Sequence, residues 1–589
     1  MSQKQNVIDV LRDIHLMMQL AGENRFRAIA FDRAARTLES MSESFDELVG
    51  ERRLTDLKGI GTSIAEDIHQ FLESGEIPVL NDLRDRVPEG LMDWLDISGL
   101  GPKNIVKIHQ ELEITELDDL LEACRDGRVA SLSGLGKKSA DRIADSIEWL
   151  KQNRTRTHLS EATELAEPFL QALSRLEAAV RIDVAGSLRR QRETIGDIDL
   201  LVAAEPGLAG GIIEHFAGLE VVVDELGRGE TKCSVRVESG RQVDLCVVRR
   251  DQWPSALLYF TGSKEHNVML RGRARKRGLV LNEYGLFHQD EEGKADRDRP
   301  VVVGSEEEIY KVLDLFPVPP ELREGMSEEQ EFEKGRGPEL IREQEIRGVV
   351  HAHSTWSDGK ASIEEMARAA MQRGYTYLVM SDHSKSAAYA GGLTESEVKR
   401  QWEEIDRLND QLREEGAPFE IFKGIESDIL SDGSLDYDDD LLDGFDLVIA
   451  SVHSGLEMDR GKMMDRFKRA MDHPATRIIG HPTGRLLLRR EESDLDMEEL
   501  IGYAAERGVV IEVNANPWRL DLDWRWGAHA MQAGLLTSIN PDAHTTSGID
   551  DIRWGVAMAR KGWFTPDRVI NSWSLDRFRQ WVESPRRGS

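Results

Sequence analysis

At 589 residues the chain is too long for one hydrophobic core and should divide into about three to five units. Hydrophobic residues make up 40% and charged residues 31%, no apolar run approaches the roughly 20 residues a bilayer span requires, and the N-terminal stretch lacks a secretory apolar segment; a cytoplasmic protein without membrane association is expected. Three widely separated cysteines argue against a disulfide framework and a thiolate zinc site, and a net charge of −32 leaves any polyanionic partner dependent on local basic patches.

The first 150 residues repeat one pattern: "LKGIGTSIAEDIHQFL" (57–72), "ISGLGPKNIVKIHQEL" (97–112) and "LSGLGKKSADRIADSI" (132–147). Each is Gly-apolar-Gly leading into an amphipathic helix. The glycines Gly59 and Gly61, Gly99 and Gly101, and Gly134 and Gly136 permit a tight turn, and the helix start offers unpaired N–H groups and a positive dipole end to a phosphate oxygen. Three such helix-hairpin-helix clamps predict binding to the DNA backbone rather than to base sequence. The arginine-bearing helix before them, "NRFRAIAFDRAARTL" (24–38), reads as a solvated charged face.

In "IDVAGSLRRQRETIGDIDLLVAA" (182–204), strand alternation puts Asp197 and Asp199 on one face. Asp244 interrupts the apolar strand "RQVDLCVV". Carboxylates crowded on one face repel unless cations lie between them, and Mg²⁺, which prefers oxygen ligands and keeps positions open for phosphates, suits the place. Upstream, Gly186, Ser187, Arg189 and Arg190 offer a turn, a hydroxyl and guanidinium groups for a triphosphate. Further on, residues 251–280 carry six basic side chains against Asp251 and Glu265, a local positive patch.

The order Gly-Ser, nine residues, Asp-apolar-Asp, then a distant strand Asp resembles the nucleotidyltransferase superfamily. "LYFTGSKEHNVMLRGRARKRGLVLNEYGLF" (258–287) is similar to the thumb of the family X DNA polymerases. The resemblance implies a helical DNA-binding domain (1–90) with the first hairpin, a fingers-like helical domain (91–155) with two more, a nucleotidyltransferase palm (156–250) and a thumb (251–325). It further implies two-metal phosphoryl transfer with Mg²⁺ or Mn²⁺ held by Asp197, Asp199 and Asp244, the last nearest the primer hydroxyl. Gly186, Ser187, Arg190 and Gly196 would contact the triphosphate, Tyr259, Phe260 and Gly262 would lie along a deoxy sugar, Asn267 would meet the base and Arg271 the template. Some positions depart from the family pattern. Asp67 and Ser63 stand where the vertebrate repair enzyme has lysines, so no Schiff-base lyase chemistry is expected. Gln242 and Cys246 replace arginines beside Asp244, and Lys264 replaces an aspartate near the base.

After a Pro-, Gly- and charge-rich stretch, expected to act as a linker over 326–344, strand-like runs recur: "IRGVVHAH", "YTYLVMSDH", "FEIFKGIE", "DLVIASVH", "TRIIGHP", "GVVIEVNAN" and "LLTSINPDAH". Spacers long enough for helices predict a parallel barrel over 345–589, with its active site at the strands' C-terminal ends. Six of the runs carry a His or Glu at their end or one residue before it. The candidate ligands are His351, His353, Asp358, His383, Glu426, His453, His481, Asp542 and His544, an imidazole and carboxylate set suited to zinc, manganese or iron and too large for one ion. His473 lies in a helical segment and is left out.

These motifs resemble the PHP (polymerase and histidinol phosphatase) family of metal-dependent phosphoesterases. That resemblance implies a distorted (β/α)7 barrel with two or three Mn²⁺ or Zn²⁺ ions, or iron. His351, His353 and Asp542 would share one ion with bridging Glu426, His453 and His481 would hold a second, and Asp358, His383 and His544 a third. The combined expectation is a multidomain α+β and α/β chain, a monomer that acts on gapped or primer-template DNA with deoxynucleoside triphosphates. It would fill short gaps in DNA repair, while its barrel supplies 3'-5' exonuclease and further phosphoesterase activity, 3'-phosphatase or abasic endonuclease. The alternatives are a DNA-end-binding protein with an active phosphoesterase alone, and a small-molecule phosphatase fused to a DNA-binding module.

Overall fold

The structure is a computed structural model that describes residues 3–40, 45–57, 59–74, 77–88, 90–97, 100–153, 156–335 and 337–584. Gly99 of the second hairpin lies outside the described residues. The chain forms two compact units, one ending at Thr155 and the other beginning at Arg156. No helix among the described residues is long and apolar enough to cross a membrane.

The first unit is helical and has two cores. Helices Gln3–Leu20 and Arg25–Ser40 bury Leu11, Ile14, Phe31 and Leu38 against Ile68 of helix Thr62–Ser74. Trp94, Ile105, Leu120, Val129 and Ile143 form the second core. The repeated motif folds the same way each time. The N–H groups of Ile60, Leu100 and Leu135 bond the carbonyls of Leu57, Ile97 and Leu132, and those of Ala65, Ile105 and Ala140 bond Gly61, Gly101 and Gly136 at the three helix starts. An added Cβ at these last three glycines would meet nothing within 4 Å, so the backbone there is open to an approaching phosphate.

The second unit opens with a five-stranded sheet ordered Ala179–Val184, Ile198–Ala204, Gln242–Arg249, Lys232–Val237 and Val222–Arg228. Alternation along Ile198–Ala204 decides its packing: Leu200, Val202 and Ala204 face helices Leu159–Ser174 and Ala209–Ala217, whereas Leu201 and Ala203 pack on Trp253, Ala256 and Leu257 of helix Trp253–Thr261. A three-stranded antiparallel sheet, Leu279–Asn282, Gly285–Gln289 and Ala295–Val301, follows helix Lys264–Lys276. Within the stretch expected as a linker, helix Glu328–Lys334 buries Phe332, whose ring centroid lies 6.0 Å from that of Trp563.

Beyond it, seven parallel strands pair in sequence order from Gly348–Val349 to Thr537–Asn540. A parallel bridge between Ala352 and Ala543 links the first strand's exit to the last, so the barrel is nearly closed. Barrel and polymerase-like sheet share one core in this unit. Polar contacts join them too: Trp524 Nε1 donates to Glu193 Oε2 at 2.9 Å, and Arg525 Nη2 to Glu193 Oε1 at 2.7 Å.

Candidate active sites

The palm site is built by register. Asp199 and Asp244 are direct partners on neighbouring parallel strands, and Asp197 precedes the first of these strands on the same alternation. The three carboxylates offer ligand atoms within 4.8 Å of one another. Burial, with Asp197 and Asp244 beside it, pushes Asp199 up to about 7, as crowding of like charges does. Gly186 has a positive φ of 55°, and a Cβ there would stand 1.9 Å from Asp199 Oδ2; the glycine of the Gly-Ser pair therefore makes room for a carboxylate. Gln242 Nε2 donates to both oxygens of Asp244, at 2.9 and 3.0 Å, a neutral hold where the family pattern has an arginine.

Ser187 and Arg190 follow Gly186 around the same turn. Arg190 Nη1 donates to the carbonyl of Thr261 at 2.6 Å, which ties the turn to helix Trp253–Thr261. Gly196 sits between strand Thr194–Ile195 and Asp197. The rings of Tyr259 and Phe260 meet edge to face at 5.3 Å. Asn267 Nδ2 donates to the Tyr259 carbonyl at 2.7 Å, and Arg271 Nε to the Asn267 carbonyl at 3.2 Å. Gly262 caps this helix at φ 71°, where a Cβ would crowd Arg190 Nη1 at 3.1 Å. Arg190, Tyr259, Phe260, Gly262, Asn267 and Arg271 thus meet around the end of helix Trp253–Thr261.

The barrel site centres on Glu426, at the end of strand Glu420–Asp428. Imidazole nitrogens of His481 (2.9 Å), His383 (2.9 Å), His453 (3.3 Å), His351 (3.4 Å) and His353 (3.8 Å) surround its carboxylate. Asp542 lies 3.1 Å from His353 and 3.6 Å from His351, while Asp358 lies 3.3 Å from His544 and 3.6 Å from His383. Ligand atoms converge within 4.8 Å in three overlapping groups: His353, Asp358, His383 and His544; His351, His353 and Glu426; His383, Glu426 and His453. His353, His383 and Glu426 each fall in two of these groups. His473, which caps the C-terminus of helix Arg460–Asp472, bonds Asp439 instead.

The electrostatics of this cluster suit bound cations. Burial works against charge on His351, but Glu512, Asp542 and Glu426 raise it well above the ordinary imidazole value. Burial likewise opposes Glu426 and Asp428 at His453, which rises to about 10, and Asp358 and Asp542 at His544, which rises to about 9. At His353 burial prevails, helped by His544 and His383, and lowers it to about 3. His351 Nε2 and Glu426 Oε2 are buried without a hydrogen-bond partner. A further orphaned imidazole nitrogen, His383 Nδ1, lies 2.9 Å from that orphaned carboxylate oxygen, and such a pair fits a bound divalent cation. Positive φ values at His351 (74°) and Asp542 (51°) aim these side chains inward at a cost in backbone strain.

The sequence expectation missed the groups behind these ligands. Buried Asp382 accepts from the Ser354 N–H and the Ser357 hydroxyl, while Glu512 Oε2 accepts from His351 Nδ1 at 2.6 Å and Asp428 Oδ1 bonds His453 Nδ1. Such partners fix the tautomer of a ligating imidazole. Glu512 had one visible signal, an acid inside the apolar run "GVVIEVNAN".

Family models match along the chain: a helix-hairpin-helix domain over residues 2–77, a SAM-like helix-hairpin-helix tandem over 92–148, the DNA polymerase beta thumb over 256–324 and the PHP domain over 350–516. The chain is 38% identical to the DNA polymerase/3'-5' exonuclease PolX of Bacillus subtilis, over 97% of this chain and 98% of that one. It is 23% identical to DNA polymerase lambda of Rattus norvegicus over 50% of this chain and 51% of that protein. A shorter relative, the Repair DNA polymerase X of African swine fever virus, is 29% identical over 22% of this chain and 75% of its own.

Proposed function

Because the chain belongs to the family X DNA polymerases that carry helix-hairpin-helix motifs and a PHP domain, we propose that it fills short gaps in DNA during repair and processes 3' ends with its barrel. The observation that carries the reading is the presence of two unlike ligand clusters in one compact unit, a carboxylate triad on the palm and an imidazole-rich centre in the barrel. Magnesium or manganese at the triad would activate the primer hydroxyl and stabilise leaving pyrophosphate, and manganese, zinc or iron in the barrel would supply a hydroxide nucleophile against a phosphodiester.

The chain's own residues set the stage for each reaction. Asp197, Asp199 and Asp244 would hold the ions, with Asp244 oriented by Gln242. Arg190, Ser187 and the backbone at Gly186 and Gly196 would bind triphosphate; Tyr259, Phe260, Gly262 and Asn267 would form the wall against sugar and base, and Arg271 would meet the template. In the barrel, Glu426 would hold the ions together with His351, His353, Asp358, His383, His453, His481, Asp542 and His544. The glycine turns at Gly59, Gly61, Gly101, Gly134 and Gly136 would grip the DNA backbone. Two opposed activities on one chain serve the same primer end, because tethering raises the local concentration of that end at both centres.

The bidentate Gln242–Asp244 contact favours a second reading, in which the triad is idle and the barrel alone is active on bound DNA ends. Extension of a 5'-labelled primer on a one-nucleotide gap separates the two. Wild type extending with Mg²⁺ or Mn²⁺, and Asp197→Ala not extending, is the expected result; no extension by wild type leaves the second reading standing.

A further inference from the structure

The nucleotide side of the palm is anchored from the barrel. Lys561, the last residue of helix Ile552–Lys561, is 1% exposed, and the hydrogen-bond partners of its side chain all come from outside the barrel. Its ammonium donates to the carbonyl of Arg190 at 3.0 Å, to the carbonyl of Glu321 at 2.9 Å and to the Glu324 carboxylate. All three of its donors are used. The Trp524 ring covers it at 4.5 Å.

Glu324 is itself nearly buried and accepts from Arg190 Nε and from Arg192 Nη1, each at 3.2 Å. Arg190 therefore has Nε on Glu324 and Nη1 on the Thr261 carbonyl, while among the described residues its Nη2 has no hydrogen-bond partner. A guanidinium pinned on two sides presents its remaining edge in a fixed direction, as recognition of a phosphate oxygen requires. The carboxylate that pins it is also a hazard. With Arg192 alone to share its charge, this anion would still compete with a triphosphate for Arg190, and the charge on Lys561 completes the offset.

We infer that Lys561 is a positioning residue for nucleotidyl transfer: it neutralises Glu324 and holds the Arg190 backbone, so that Arg190 keeps one edge free for the triphosphate of an incoming nucleotide. The inference rests on the assignment of Arg190 to the triphosphate made above. It makes the barrel a structural part of the polymerase site as well as a second catalytic centre. No motif announces it, because Lys561 and Arg190 lie 371 residues apart and a lysine at a helix end ordinarily reads as solvated.

The test is a double-variant cycle in the full chain, with single-nucleotide gap filling as the readout and digestion of a 5'-labelled single strand as the control for barrel integrity. Lys561→Met should raise the KM for the deoxynucleoside triphosphate by about tenfold, with a smaller change in kcat and unaltered digestion. In an Arg190→Ala background the same substitution should add nothing, an outcome that a merely structural lysine does not produce. If Lys561→Met loses digestion as well, Lys561→Gln, which keeps a donor for the buried carbonyls but not the charge, goes through the same cycle with the same expectation. A KM within about twofold of wild type, or an equal rise in the Arg190→Ala background, overturns the inference. Wild type that fails to extend, or an unchanged KM in Arg190→Ala alone, instead brings down the nucleotide assignment beneath it.

Discussion

Glu512→Gln is a demanding test of the barrel centre, because Glu512 touches no proposed ion and still should govern one. Its buried carboxylate serves four donors: His351 Nδ1 at 2.6 Å and Asn540 Nδ2 at 2.8 Å on one oxygen, the His481 N–H at 3.2 Å and Asn514 Nδ2 at 2.8 Å on the other. The bond to Nδ1 leaves His351 Nε2 as a lone pair turned toward Glu426 and Asp542. Glutamine keeps the shape, but wherever its NH2 points it confronts two donors. Directed at His351, it favours the other tautomer and places a proton on Nε2, where a cation should sit. Loss of such an orienting partner lowers metal affinity about 10–100-fold, or about 1.4–2.7 kcal/mol, and donors left facing a donor add a stability cost of about 1–3 kcal/mol. Dialysis of wild type and Glu512→Gln against graded chelator, with metal content read by mass spectrometry and folding by thermal melts, measures both. Equal metal retention at every chelator concentration refutes the reasoning. Gap filling with Mg²⁺ should be unaffected by the substitution.

Gly186→Ala should reduce gap filling by at least about a hundredfold, since its Cβ would displace the Asp199 carboxylate by more than an ångström, and it should leave strand digestion intact; normal extension by this variant would show that Asp199 is not held where it stands. Burial opposes charge on Glu193, but Arg525 and Arg192 hold it near 2, below the ordinary 4.5, so its contribution of about 3 kcal/mol is present above pH 4.5 and lost as the pH falls toward 2. Urea unfolding should accordingly show a stability gap between wild type and Glu193→Gln that is full at pH 6 and shrinks below pH 4.5; a gap independent of pH contradicts the assignment. Borohydride trapping on DNA with a 5'-deoxyribose phosphate should yield no covalent adduct through Asp67, whose half-buried carboxyl cannot form a Schiff base.

Much of this architecture could be read in advance because it follows from short-range rules. Asp197, Asp199 and Asp244 interrupt apolar strands at fixed parity, and parity alone puts them on one face. The barrel ligands fall at the C-terminal ends of parallel strands, where the topology gathers whatever those positions carry. The hairpin glycines repeat at matched helix starts. What stayed hidden depends on contacts between distant segments. Glu512 supports His351 from 161 residues away, and Glu324 reaches Arg190 from 134. Gly186 read as a turn residue, but its need to make room for Asp199 emerges only when two strands are packed side by side. The stretch over 326–344 has a linker's composition, and tertiary burial of Phe332 still draws part of it into a helix.

The central claim, two separate metal centres with opposed activities in one chain, is tested most directly by degradation of a 5'-labelled primer with Mn²⁺ and no nucleotides. Wild type and Asp197→Ala should shorten the primer from its 3' end alike, while the His351→Ala, His353→Ala double variant should leave it intact and still extend it once nucleotides are added. Equal digestion by wild type and the double variant would contradict the account.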